Sequence, residues 1–334
     1  MDKNKITNKP NPKRRVMRIV FIFLFVLFAL YTLTGLFSDE QSVGYFTDAE
    51  GRKLYLEAYD KVMAVMAAPT ATYDIDTSWG TVRVYEWLNE ENASVPPVVL
   101  LPGHSSGAPM WQANISGFTQ KHTVYAIDAL GDAGKSTQSV ALKGMGDVTG
   151  WISETLAGLG IERAHIVGHS FGGGYASNFA LNHPEQIQTL TLLEPAFALN
   201  IPPFSTLFWA SIGSMNFLPE SWRNYGLAKI SGEDASEIAS DDPLARMITA
   251  AAAYYSPSLP TPKALTTGDL KKLDMPVYVA LAENSPITGE KAAENANIIP
   301  KATVKVWANT THSLPMEIAD ELAIALNAFW ADNQ

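Results

Sequence analysis

The sequence predicts an α/β fold, a mostly parallel sheet flanked by helices, with a helical cap inserted between the strand ending near Leu193 and the strand near Val277. Three observations carry that prediction. Residues 98–101, 124–127, 164–167, 190–193 and 277–281 are short continuous apolar runs, the mark of strands buried on both faces. Helix-like stretches lie between most of them, as parallel crossovers require. The interval between the fourth and fifth runs is too long for one crossover, and residues 196–262, rich in Phe, Trp, Tyr, Met and Pro, read as the inserted cap.

Taken in order, the chain opens on a basic segment. Residues 1–18 carry seven Lys or Arg against one acid, Asp2, and the 19 residues at 19–37 are uncharged and mostly apolar. That length crosses a bilayer as a helix. The positive flank precedes the span and Asp39, Glu40, Asp48 and Glu50 follow it, so a signal anchor in the cell membrane is expected, with a cytoplasmic N-terminus and an extracytoplasmic remainder. The alternative is a cleaved signal peptide and a secreted protein, although no convincing small-x-small site follows Leu33. With residues 1–38 set aside, 17 basic and 33 acidic residues remain of 24 and 34, a net charge of −16 that argues against a nucleic-acid partner. The 334 residues, 47% hydrophobic and 17% charged, suit one large domain plus an appendage. There are no cysteines, which excludes disulfides and thiolate metal sites.

A juxtamembrane segment at 38–71 contains an amphipathic helix over 50–66, with Tyr55, Tyr59, Val62, Met63 and Met66 on one stripe and Glu57, Asp60 and Lys61 between them. Such a stripe is expected to pack on its own domain. The domain at 72–334 begins with alternating strands at 72–77 and 81–87, joined as a hairpin by Ser78-Trp79-Gly80. It ends with a strand at 302–307 and a helix over 315–330.

Chemistry enters at Ile166-Val167-Gly168-His169-Ser170-Phe171-Gly172-Gly173, where a G-x-S-x-G pattern lies between an apolar run and a helix-like segment. In that pattern the serine occupies a strained strand-to-helix turn, and side chains two residues before or after would strike neighbouring backbone. Gly168 and Gly172 remove the collision, and Ser170 is the candidate nucleophile. Gly134-Lys135-Ser136 imitates the end of a phosphate-binding P-loop, but the glycine required five residues before Gly134 is Ala129.

Together these stretches resemble the α/β-hydrolase superfamily, and within it bacterial carboxylesterase-like members, over about residues 72–332. Leu100-Leu101-Pro102-Gly103-His104-Ser105-Ser106-Gly107 matches the family's strand and HG loop, with Pro102 where histidine is usual. Tyr125-Ala126-Ile127-Asp128-Ala129-Leu130-Gly131 and the residues through Ser136 match the next strand and its Asp-x-x-Gly loop, with Asp128 expected in a structural role. Among six histidines, His165 and His169 belong to the elbow strand, His183 ends the next helix, His122 precedes a strand and His104 lies in the oxyanion loop. That leaves His312, after the last strand, at the place of the family's base.

The resemblance implies an oxyanion hole from the backbone N–H groups of His104 and Phe171. The acid departs from the family pattern. Where the strand at 277–281 commonly ends in Gly-x-x-Asp, this chain reads Ala282-Glu283-Asn284-Ser285, and a serine at 285 cannot hold an imidazolium. Glu194, at the end of the preceding strand, is the first candidate and Glu283 the second, with an unpartnered histidine as the third possibility. The expected activity is a serine hydrolase of the carboxylesterase or lipase type, cleaving small-molecule acyl esters through an acyl-enzyme without metal or organic cofactor. The alternatives are a non-catalytic ligand-binding surface protein, or a peptidase or acyltransferase using the same triad.

Overall fold

A computed structural model describes residues 42–334 apart from 93, 240 and 290. The anchor expected at 19–37 and the basic tail before it lie outside the described residues. Among the described residues, no helix is long and apolar enough to cross a membrane.

The described residues open with a short strand β1 (Tyr45–Phe46) and helix α1 (Ala49–Val65), followed by the hairpin β2 (Ala71–Thr77) and β3 (Gly80–Trp87). Then come β4 (Val98–Leu101), β5 (Val124–Ile127), β6 (Thr137–Gln138), α2 (Met145–Gly158), β7 (Ala164–His169), α3 (Ser170–Asn182) and β8 (Ile187–Leu193). The chain now leaves the sheet for α4 (Phe204–Ser214), α5 (Glu220–Ser231), α6 (Pro243–Tyr254) and the short strand β9 (Tyr255–Ser256). It returns as β10 (Val277–Ala282) and β11 (Ala302–Trp307) and closes on α7 (Ala319–Ala331).

The main sheet runs β11-β10-β8-β7-β4-β5-β3-β2, with β6 paired to β3. Every pairing from β5 to β11 is parallel, and only the pairings of β3 are antiparallel. The apolar runs are continuous because alternate residues feed two cores. Val99, Leu101, Ile166, Val277, Val279 and Leu281 enter the core beneath α2 and α3. Val98, Leu100, Val167, Tyr278, Ala280 and Ala282 enter the other, beneath α1 and α7. Each large apolar side chain so buried stabilises the fold by about 1.5–3 kcal/mol.

Helix α1 starts where Asp48 accepts from Gly51 N–H at 2.7 Å. Its buried face, Tyr55, Ala58, Tyr59 and Val62, packs on the domain itself. Its approach to α6 is close: a Cβ on Gly51 would lie 2.3 Å from Tyr254 Cβ. The Tyr59 hydroxyl reaches Asp128 at 3.0 Å, and Asp128 also accepts from the N–H groups of Ala108 and Lys135, each at 2.7 Å. Asp128 is thus fully engaged in structure, and burial raises its pKa. The Lys135 ammonium pairs with Asp60 at 2.7 Å, so the P-loop-like triplet serves this junction.

The helix expected over 315–330 is broken. A short helix, Leu314–Glu317, is separated from α7 by Ile318 at φ −129° and ψ 40°. The break goes with a contact distant in sequence: Asn114 Nδ2–H donates to the Pro315 carbonyl at 2.7 Å, the acceptor that a continuous helix would offer to Ala319.

Histidine burial sets an acid limit on this fold. His122 and His165 are 0% exposed and pack against Trp330, the first edge-on and the second tilted, and His169 is 6% exposed. Burial lowers the pKa of His122 and brings those of His165 and His169 to about 3. The unfolded imidazoles titrate near 6.5, so below that pH the unfolded chain binds protons that the native chain refuses. Their contribution is present above about 6.5 and fades as pH falls toward 3. Unfolding free energy is expected to drop by about 3 kcal/mol between pH 7 and 5.5, a window above most carboxylate titration. Denaturant titrations at the two pH values test this, and equal stabilities would refute it.

Candidate active site

The site lies at the ends of β7, β8 and β11, which are followed by Ser170, Glu194 and His312 respectively, with the loop after β10 beside them. β7 ends at His169, and Ser170 follows at φ 52°, a left-handed conformation that costs a non-glycine residue about 1–3 kcal/mol. The turn is enforced by contact. A Cβ on Gly168 would fall 2.3 Å from the Gly172 carbonyl oxygen, and one on Gly172 would fall 2.4 Å from the carbonyl oxygens of Leu101 and Pro102. The Ser170 carbonyl accepts from Ala196 N–H at 2.9 Å, so the chain leaving β8 braces the elbow.

Ser170 Oγ, partly exposed, is 2.8 Å from His312 Nε2. His312 Nδ1 is 3.2 Å from Glu194 Oε2, and Glu194 is wholly buried. Glu194 also has a positive φ, 46°, which turns the chain sharply out of β8. Its carboxylate is further held by Ala282 N–H at 2.6 Å, Thr288 Oγ1 at 3.1 Å and the Ser285 hydroxyl. A buried carboxylate is costly without such donors, and here each oxygen has two partners. Ser285 stands where the family's usual acid would be, and its hydroxyl donates to the carboxylate that comes from the neighbouring strand instead.

Glu283, the second candidate acid, is not brought to His312. It is exposed, and its carboxylate accepts from Asn309 N–H at 2.9 Å, capping the turn after β11. The Phe171 N–H belongs to the elbow and the His104 N–H to the loop after β4, and the two rings are 5.7 Å apart. The His104 ring is exposed and contacts Ser105 Oγ at 2.8 Å, so its side chain is turned to its own loop.

Two supporting residues were not anticipated from the sequence. Asp132 accepts from Ser105 N–H and Ala133 N–H, each at 2.7 Å, and so fixes the loop that carries His104. The signal for it was the second acid of Asp128-Ala129-Leu130-Gly131-Asp132. His169 Nε2 lies 2.9 Å from the His312 carbonyl oxygen, and the two rings are 4.8 Å apart. A carbonyl only accepts, so Nε2 carries the proton, and among the described residues the buried Nδ1 has no partner. Burial, then the His312 charge, pushes the His169 pKa down to about 3. His169 therefore stays neutral when a proton arrives on His312.

Fold and relay together define a serine–histidine–carboxylate site at the strand ends of a mostly parallel α/β sheet. The chain belongs to the alpha/beta hydrolase family, whose model matches residues 98–325. It is 24% identical over 291 residues to carboxylesterase YbfK of Bacillus subtilis (strain 168), an alignment covering 81% of this chain and 92% of that one. Among solved structures it is similar in fold to naproxen esterase (carboxylesterase NP) of Bacillus subtilis, with a TM-score of 0.76 and 23% identity over 85% of this chain and 99% of that one. It is also similar to a membrane phospholipase A described as a novel bacterial virulence factor, with a TM-score of 0.66 and 18% identity over 96% of this chain and 98% of that one. At these identities the structural matches speak for the fold.

Proposed function

We propose that the protein is a serine carboxylesterase in which Ser170 is the nucleophile, His312 the general base and Glu194 the acid. The observation that carries the reading is the continuous relay from Ser170 Oγ through the His312 ring to the buried Glu194 carboxylate, at 2.8 and 3.2 Å. As Ser170 Oγ attacks the ester carbonyl carbon, its proton passes to His312 Nε2, and the carbonyl π electrons move to oxygen as the tetrahedral oxyanion. The His104 and Phe171 N–H groups are the donors for that oxyanion. His312 then protonates the leaving alkoxide, the C–O bond breaks and the acyl group remains on Ser170. Water, deprotonated by His312, repeats the sequence in reverse and releases the acid.

Ester substrates with apolar acyl or alcohol groups suit the cap. Ile201, Phe217, Trp222 and Tyr225 remain exposed on it, while Phe208, Ile212 and Met215 are buried. Carboxylesterase names among the relatives favour esters over peptides, and the assembled relay favours an enzyme over a binding protein. The basic segment and the apolar stretch at 19–37 support a membrane-anchored enzyme with its catalytic domain outside the cytoplasm.

One experiment addresses activity and location together. Cells expressing the full chain are fractionated, and membranes are assayed with a p-nitrophenyl ester series and a fluorophosphonate probe. Ester turnover and probe labelling are expected in the membrane fraction, on a chain of full mass. A folded chain inert to both reagents would refute the esterase reading. Activity recovered only in the soluble fraction, on a shortened chain, would refute the anchor.

A further inference from the structure

The segment carrying His312 is held from two sides by elements remote in sequence. On the sheet side, His169 Nε2–H donates to the His312 carbonyl at 2.9 Å. On the cap side, His312 N–H donates to the Ser231 carbonyl at 3.0 Å, and the Ser313 hydroxyl donates to the Glu233 carboxylate. Both backbone polar groups of His312 are therefore bound outside its own turn.

Residues 231–233 are shaped for this contact. Gly232 ends α5 at φ 85°, and its N–H donates to the Ala228 carbonyl, a left-handed helix cap. A Cβ at Gly232 would come within 3.1 Å of Thr311 Cβ, so conformation and proximity both select glycine. Glu233 N–H donates back to Ser231 Oγ at 3.2 Å, which tightens the turn from which the carboxylate reaches Ser313. Ser313 is 9% exposed, and its hydroxyl finds this acceptor on the cap.

The carboxylate sits in company that does not favour it. Glu233 is partly buried; the Ser313 hydroxyl it accepts from opposes the effect of that burial, while the charges of Glu237 and Glu317 add to it. Burial is the largest cause raising its pKa, followed among the raising causes by those two carboxylates. A carboxylate kept in an unfavourable environment beside a reacting centre points to a role there.

We propose that Glu233 is a positioning residue for the general base: by holding the Ser313 hydroxyl from the cap, it sets the orientation of the His312 loop and the reach of Nε2 to Ser170 Oγ. This rests on the reading of Ser170, His312 and Glu194 as a catalytic triad. It makes the cap part of the catalytic apparatus, because the turn after α5 braces residues 311–313 together with His169 on the sheet side and Glu317, which accepts from Thr311. Substrate contacts that shift α5 act on the rate of acylation as well as on affinity.

The test uses the full chain, with fluorophosphonate labelling of Ser170 and kcat and KM for a p-nitrophenyl ester as readouts. Glu233→Ala is expected to lower the labelling rate and kcat by about tenfold with KM within about twofold of the parent, the pattern of a misaligned base. Glu233→Gln retains an amide oxygen that accepts from Ser313 and is expected to recover most of the rate. Ser313→Ala should match Glu233→Ala, and the double variant should fall no further, since both remove one interaction. An equal loss in Glu233→Gln and Glu233→Ala would overturn the positioning role in favour of charge, and additive losses would overturn it as well. Parental rates in all variants would remove Glu233 while leaving the triad intact. If the parent itself resists the probe, the triad reading fails separately, and a crystal structure of Glu233→Ala decides the geometry. Displacement of His312 from Ser170 Oγ supports the clamp, and an unchanged 2.8 Å contact overturns it.

Discussion

Ser170→Ala is expected to lower ester turnover by at least about 10⁴-fold and to abolish fluorophosphonate labelling. The expectation follows from the elbow. Ser170 is the partly exposed hydroxyl at its apex, and its Oγ is the atom in contact with His312 Nε2 at 2.8 Å. Alanine leaves His312, Glu194 and the backbone N–H groups in place but removes the atom that, in the proposed mechanism, forms the acyl bond. Stability should change by less than about 1 kcal/mol, because the substituted residue keeps the same strained φ and loses only one hydroxyl at a partly exposed position. Kinetics with a p-nitrophenyl ester, beside a thermal melt, separate the two effects. A folded variant that turns over ester within tenfold of the parent would move the nucleophile elsewhere.

What could be read from the chain followed how local the physics was. The strands and the elbow were legible because continuous apolar runs report two-sided burial, and because Gly168 and Gly172 are demanded by contacts two residues away from Ser170. His312 could be placed by its position after the last strand. The acid stayed open between Glu194 and Glu283 because both follow sheet strands, and only the packing shows one buried against His312 and the other capping an exposed turn. The roles of Ser285 and His169 could not be read at all. Ser285 looked like a missing acid, yet its hydroxyl serves the carboxylate of Glu194, 91 residues away. His169 looked like the variable position of the elbow, and its contact with the His312 carbonyl spans 143 residues. The break at Ile318 has the same origin, since the side chain that claims the Pro315 carbonyl comes from Asn114, 201 residues earlier.

Glu194→Gln is expected to reduce kcat by about 10³–10⁴-fold with little change in KM, because the carboxylate acts on the protonation state of the base rather than on substrate. In the proposed mechanism His312, facing Glu194, carries its proton on Nδ1 and offers the lone pair of Nε2 to Ser170, and the negative charge stabilises the imidazolium formed during attack. A glutamine amide can present an N–H to Nδ1, which favours the other tautomer and puts the proton on Nε2, where it cannot take another from Ser170. Glu283→Gln should leave the rate within about twofold, since an amide oxygen still accepts from Asn309 N–H at an exposed turn. The position of Ser285 supplies a sharper discriminant. Its hydroxyl already meets the Glu194 oxygen that faces His312, so Ser285→Asp in the Glu194→Gln background carries a carboxylate to the same place from β10. A regain of about 10–100-fold over Glu194→Gln alone is expected, short of the parent because the new carboxylate lacks the four-donor cradle built around Glu194. If Glu194→Gln instead keeps parental kcat while Glu283→Gln loses it, the acid belongs to Glu283 and the buried glutamate is structural.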